Sequence, residues 1–135
     1  MRIEVTDTLT DDIRHIREEV FMAEQGFQNE FDALDEISRY VVVYDGETAV
    51  ATCRYYKEDD AWHIGRVCTL KAWRHKGLAS LALNEALKDI GTQGGRVLVG
   101  AQVTAAPFYE QLGFTKTEDC YEDEGCPHVM MERTH

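Results

Sequence analysis

The sequence predicts an α/β (α+β) domain, a mixed and mostly antiparallel central sheet with helices on both faces. Three observations carry that reading. Strand-like and helix-like patterns follow one another in the order strand, helix, three strands, helix, strand, short helix, strands. Residues 40–56 hold two β-branched and aromatic runs around Asp45-Gly46, the arrangement of an antiparallel hairpin. Further on, Ala79, Ala82, Leu83, Ala86, Leu87 and Ile90 recur at helical spacing, with Ser80, Asn84 and Lys88 opposite. A length of 135 residues with 44% hydrophobic content suits one domain, residues 1–135, with a real core and no room for a second.

Taken in order, residues 2–6 alternate as a first strand. Thr8-Leu9-Thr10-Asp11 then offers a capping signal for a helix on which Leu9, Ile13, Ile16 and Val20 share a face, ending near Gly26. Residues 28–38 read as acidic and irregular, with Phe27 and Phe31 as anchors and a helical turn at 33–36. Strands follow at 40–44 and 48–56, a polar turn at 57–60, and a strand at 62–70 in which Gly65 marks a bulge or a close backbone approach. A helix begins at Gly77 and is stopped by Gly91, Gly94 and Gly95. Residues 96–101 form a short strand, 105–112 a short helix closed by Gly113, 115–127 a strand and an acidic loop, and 128–133 the last strand.

A net charge of −11 argues against a nucleic-acid partner, because phosphate backbones call for a basic face. No apolar run is long enough to span a bilayer and the first residues lack a secretory layout, so no membrane partner and a cytoplasmic location are expected. Cys53, Cys68, Cys120 and Cys126 contain no CxxC pair and read as thiols rather than disulfides. The charge is uneven, however. Between Ala61 and Asn84 there is no Asp or Glu, while Arg66, Lys71, Arg74 and Lys76 fall there with His63 and His75. Such an island is either a solvated face or a site for a small polyanion.

The local pattern around residue 77 bears on that choice. A strand runs through the basic turn Arg74-His75-Lys76 into a helix opening with Gly77, Leu78, Ala79 and Ser80. Unpaired N–H groups and the positive end of the dipole gather at such a start, and Gly77 lets a ligand approach the backbone. The GxxxxGK[ST] spacing of a phosphate-loop NTPase is absent, and so is GxGxxG.

At these residues the chain resembles the GNAT acetyltransferases. Arg74-x-x-Gly77-x-Ala79 matches that family's R/Q-x-x-G-x-G/A signature, preceded by the strand Arg66-Val67-Cys68-Thr69. Downstream, Ala105-Ala106-Pro107-Phe108-Tyr109-Glu110-Gln111-Leu112-Gly113-Phe114 looks like the A-x-x-F-Y-x-x-x-G-F segment of the same family. The segments Arg17-Glu18-Glu19-Val20-Phe21-Met22-Ala23-Glu24-Gln25-Gly26, Glu30-Phe31-Asp32 with Asp35, and Glu124-Gly125-Cys126-Pro127-His128 resemble a branch of small bacterial members with poorly defined substrates. One departure is Gln102, where many relatives carry Asn.

The resemblance implies an N-acetyltransferase that moves an acetyl group from acetyl-CoA, as co-substrate, to a primary amine of a small molecule by direct transfer. Val67, Cys68 and Thr69 would align the pantetheine arm, and the amides of His75, Lys76, Gly77, Leu78, Ala79 and Ser80 would take the phosphates beside Arg74, with Gln102 and Phe108 completing the cofactor site. Tyr109 matches the tyrosine that protonates the leaving thiolate, and a phenol of ordinary pKa ~10 is neutral near pH 7. Glu24 is the first candidate for the base and His128 the second.

Cys68 could suggest an acetyl-enzyme, but no adjacent base is evident and direct transfer is expected. Cys120, Cys126 and His128 fit no zinc-ligand spacing, so no metal is expected. Glu18, Glu19, Glu24, Glu30, Asp32, Asp35 and Glu36 serve either solubility or the attraction of a cationic amine. A homodimer is compatible with such a fold. The alternative to an enzyme is a catalytically silent acetyl-CoA-binding module, a sensor or partner subunit, and beyond that a purely structural domain.

Overall fold

Seven strands join into a single sheet of order β1-β2-β3-β4-β5-β7-β6, in a computed structural model that describes residues 1–28, 31–91 and 95–134. The strands are β1 (Arg2–Thr6), β2 (Arg39–Asp45), β3 (Thr48–Glu58), β4 (Ala61–Thr69), β5 (Arg96–Gln102), β6 (Thr115–Asp123) and β7 (Cys126–Thr134). Every neighbouring pair is antiparallel except β4 and β5, which are parallel. The expected mixed, mostly antiparallel sheet is therefore present.

Helices cover both faces. Helix α1 (Asp11–Arg17) starts where the Thr10 hydroxyl accepts from the Ile13 amide at 3.3 Å, the cap its sequence offers. Its Ile13 and Ile16, with Val20 beyond, pack on Tyr40, Val42 and Tyr44 of β2. The alternate residues Val41 and Val43 meet Ala82, Leu83 and Ala86 of helix α2 (Leu78–Gly91) on the opposite face. Helix α3 (Ala106–Gln111) adds Ala106 and Tyr109 to that second core. Strand β2 is thus buried on both sides, which is why its run is apolar without alternation.

The tight turns follow local chemistry. Gly46 opens the β2–β3 turn at φ +61°, and Asp59 and Asp60 both hold positive φ between β3 and β4. Glu124 and Gly125, likewise at positive φ, join β6 to β7. Residues 115–123, expected to be a strand followed by an acidic loop as far as residue 127, are strand throughout, because this two-residue turn absorbs the whole reversal. Helix α2 does end at Gly91, while Gly94 lies outside the described residues.

Two further differences have structural consequences. The helical path from Asp11 ends near Gly26 as expected, but over Glu18–Glu24 it is a π-helix, with the Gln25 amide donating five residues back to Val20 at 3.2 Å. The bulge in β4 is not at Gly65. Register slips between Thr52↔Cys68 and Arg54↔Gly65, and the left-handed residue inside that step is Arg66 at φ +51°.

Asp35 is a buried charge, and Asp32, though exposed, is tied to arginines as well. Asp35 bonds Arg17 through two oxygens at 2.7 and 3.2 Å, and also takes Arg54 at 3.0 Å and the Tyr40 hydroxyl at 2.9 Å. Asp32 takes Arg54 at 2.7 Å and Arg66 at 3.5 Å. The Arg17 and Arg54 side chains are only 1% and 4% exposed, so removing a carboxylate would strand a buried cation. Burial by itself would raise the Asp35 carboxyl. The hydrogen bonds and charge of Arg17 outweigh it and hold the group far below its ordinary 3.8.

A depressed folded-state pKa contributes stability that is complete above the unfolded value and is lost as pH falls through the folded one. The urea midpoint of the protein is therefore expected to drop steadily as pH is lowered below about 4, near the unfolded value of an aspartate. Asp35→Asn should lose about 3–5 kcal/mol at neutral pH and show a shallower acid slope. An unchanged midpoint with the same acid slope would contradict the assignment.

Candidate active site

The site begins where two strands part. Parallel pairing between β4 and β5 runs over residues 61–64 against 96–99 and stops at Ile64↔Val99. Past that point β4 keeps its β3 partner, with Thr52↔Cys68 and Ala51↔Thr69, while its β5 side opens. The bulge at Arg66 bends β4 away at this place. The gap widens into a cleft of about 620 Å³.

One end of the cleft is the start of α2. The Leu81 amide donates to the Gly77 carbonyl at 3.1 Å, so the amides of Leu78, Ala79 and Ser80 precede the first intrahelical donor. Gly77 holds φ +75° and His75 φ +64°, two left-handed residues that turn the chain from Arg74 into the helix. A β-carbon at Gly77 would meet nothing within 4 Å, so this glycine serves the backbone and keeps the approach to the amides open. These features form a concave array of donors.

The floor and far end come from β5, α3 and β7. Phe108 and Tyr109 pack edge to face at 5.1 Å, and Tyr109 stacks similarly on Phe114 at 5.9 Å. Tyr109 is 6% exposed, lines the cleft, and is pushed up in pKa by burial and then by the nearby Cys53 and Cys68. It is a neutral donor at any physiological pH. His128 also lines the cleft, and its Nδ1 lies 2.8 Å from the Cys126 carbonyl. A carbonyl only accepts, so Nδ1 carries the hydrogen and the neutral ring keeps its lone pair on Nε2.

Of the residues singled out by sequence, Val67, Cys68, Thr69, Arg74, His75, Gly77, Leu78, Ala79, Ser80, Gln102, Phe108, Tyr109 and His128 all line this one cleft. Lys76 does not line it; its ammonium stands over the Trp73 ring at 5.1 Å. Glu24 lies in a neighbouring shallow groove and is paired with Arg74 at 2.6 and 2.5 Å. Hydrogen bonding to Arg74 lowers its pKa and makes it a weaker base. Arg74 also donates to the Thr69 carbonyl at 3.1 Å, which ties the end of β4 to the turn. Gln102 donates to Gln25 at 2.8 Å, linking β5 to the end of the π-helical segment.

Sequence reasoning missed the wall contributed by that segment. Val20, Phe21, Gln25 and Phe27 line the cleft, with Phe21 and Phe27 edge to face at 6.2 Å. Val20 and Phe21 sit in the π-helix, whose wider turns a periodicity of 3.6 does not reveal, and Gln25 and Phe27 follow directly after it. Asp123 and Glu124 were missed as well, and the Glu124 carboxylate receives the Gln28 amide at 3.0 Å. Of the acidic residues near the N-terminus, Glu24, Asp32 and Asp35 are all neutralised by arginines, so they do not form a field for a cationic amine. Glu30 lies outside the described residues. No group of side chains among the described residues is arranged to hold a metal ion, and no helix among them is long and apolar enough to cross a membrane.

Comparison with known proteins bears on the same cleft. Residues 6–135 match the acetyltransferase (GNAT) domain family. The chain belongs to the GNAT acetyltransferase family. It is 36% identical over 126 residues to the uncharacterized N-acetyltransferase YjcF of Bacillus subtilis, covering 89% of each chain. The crystal structure of Escherichia coli ElaA superposes with a TM-score of 0.85 at 25% identity, over 98% of both chains. The PaiA N-acetyltransferase of Thermoplasma acidophilum, solved in complex with coenzyme A, gives a TM-score of 0.74 over 100% of each chain, and at 15% identity that likeness concerns the fold alone.

The turn before α2 depends on a backbone that only glycine adopts without cost. Gly77→Ala should therefore lower unfolding free energy by about 1–2 kcal/mol, a backbone effect with no clash to relieve. Chemical denaturation of the variant checks this, and equal stability would show that the turn tolerates the strain.

Proposed function

We propose that this GNAT domain, acting as a single catalytic unit, transfers an acetyl group from acetyl-CoA directly to a primary amine of a small molecule. The observation that carries the proposal is the open β5-side edge of β4 leading to the free amides of α2, with a buried neutral tyrosine lining the same cleft. An amide-rich arm can lie along a strand edge as an added strand does, and phosphates suit a helix start. The residues present therefore fit coenzyme A: Val67, Cys68 and Thr69 along the arm, His75 to Ser80 at the phosphates, and Gln102 and Phe108 beside them.

The thioester supplies an electrophilic carbonyl, at which a C–N bond forms and the C–S bond breaks. His128 Nε2, directly or through one water, takes the proton of the incoming ammonium and passes it to solvent. His128 suits this role better than Glu24, because it lines the cleft with a free lone pair and Glu24 is committed to Arg74. Tyr109 gives its proton to the departing sulfur and is reprotonated by the second proton released from the attacking nitrogen. The net change is one amide, one thiol and one proton. Free cysteines at all four positions accord with a cytoplasmic setting.

Saturating coenzyme A should raise the melting temperature by mass action, and thiol release from acetyl-CoA should appear with at least one member of a panel of amines. Tyr109→Phe should keep the melting shift and lower kcat by about 10²–10⁴-fold. Absence of any shift would defeat the reading altogether. A shift without turnover on any amine would replace the enzyme by a cofactor-sensing module.

A further inference from the structure

We infer that Tyr121 is the positioning residue for His128, and that residue 100 is glycine so that Tyr121 can take this place. The inference rests on the reading of His128 as the base. In the register of the sheet, Tyr121 of β6 lies opposite His128 of β7, which lies opposite Gln102 of β5. The Tyr121 and His128 rings stack at 5.3 Å with 17° between their planes. Tyr121 then reaches on across β7 to β5, where its hydroxyl lies over Gly100.

Gly100 has no positive φ, so its backbone does not call for glycine. Its missing side chain does. A β-carbon at residue 100 would overlap the Tyr121 hydroxyl and stand 3.4 Å from Cζ. A glycine inside a strand commonly marks such a close approach. Gly100 and His128 both line the cleft, and the Tyr121 ring reaches from one to the other.

The imidazole is consequently held twice. Its Nδ1–H is tied to the Cys126 carbonyl at 2.8 Å, which sets the tautomer, and Tyr121 covers one ring face, which sets the plane. Tyr121 is stacked on the ring, and the other titratable groups lining the same cleft are Asp123 and Glu124 of the hairpin, Arg66, Cys68, Arg74 and His75 before α2, and Tyr109 of α3. Tyr121 itself is 42% exposed and belongs to neither hydrophobic core. Folding gains little from its ring, whereas alignment of the base would depend on it.

The test uses the purified protein with acetyl-CoA and whichever amine supports turnover. Tyr121→Ala should lower kcat about 10–100-fold, leave the KM for acetyl-CoA and the melting temperature near their original values, and shrink the rise of kcat with pH that His128 produces. Tyr121→Phe keeps the stack and should recover most of the rate lost in Tyr121→Ala. Gly100→Ala should reproduce the kcat loss by displacing the ring, and in NMR its His128 ring protons should lose the upfield shift of a stacked neighbour. Full kcat and an undiminished pH limb in Tyr121→Ala, or no recovery in Tyr121→Phe, would overturn the inference. His128→Gln separates the two levels: if the pH limb survives in that variant, the base reading itself is wrong, and if it vanishes there but persists in Tyr121→Ala, only the positioning role fails.

Discussion

A parallel strand pair that stops exchanging hydrogen bonds after Ile64 and Val99 gives up part of its ladder, and the sheet must be held together by other means around the gap. Strand β4 keeps β3 on its other side, and β5 keeps β7 as far as Gln102↔His128. The left-handed backbone at Arg66 costs on the order of 1–2 kcal/mol for a residue with a side chain. What that strain yields is a strand edge with unpaired polar groups facing a cleft, a feature that an uninterrupted sheet cannot offer. The cleft, the open β4 edge, the start of α2 and the placement of Tyr109 and His128 all follow from that departure.

The same departure explains why a short acidic turn carries so much buried charge. Asp35 joins Arg17, the last residue of α1, to Arg54 of β3, and Asp32 joins Arg54 to Arg66 at the bulge. The turn thereby clips together the helix that continues into the cleft wall, a central strand, and the strained residue of β4. Phe31 adds a ring under the guanidinium groups of Arg14 and Arg17, at 5.0 and 4.7 Å. Buried ion pairs are poor sources of net stability, because desolvation consumes most of the attraction. They are directional, however, and here they set the position of the π-helical segment relative to the bulge.

How far these features can be read from sequence depends on whether they are local. The hairpin at Asp45-Gly46, the cap at Thr10 and the stripe on α2 are signals within a few residues, and each appears where its residues imply. Most of the site residues named between Val67 and Ser80 line one cleft because strand, turn and helix are contiguous there. Arg66 as the bulge was not legible, since Gly65 is the residue with the freer backbone and only the pairing with β3 decides which one bends. The ion pairs of Asp32 and Asp35 were not legible because their arginine partners lie 18 to 34 positions away in sequence. The π-helix hid Phe21 from a search at helical period, Phe27 reads only as an anchor of the segment after it, and Gly100 carries no signal without knowing where Tyr121 comes to rest.

The electrostatics of the α2 start can now be ordered. In an acidic chain of net charge −11, the arginine that opens the turn is matched by Glu24 and bonded to the Thr69 carbonyl, so its charge is largely spent on holding the turn in shape. The main-chain amides beside it need no counter-ion, cannot be titrated, and lose no side-chain entropy when an anion arrives. An anion settling there meets the amides first and engages Arg74 only by exchanging places with the Glu24 carboxylate, a trade of one anionic partner for another. Under the proposed function, selectivity at this end would owe more to the geometry of the amides around Gly77 than to the net charge of the protein, which is negative.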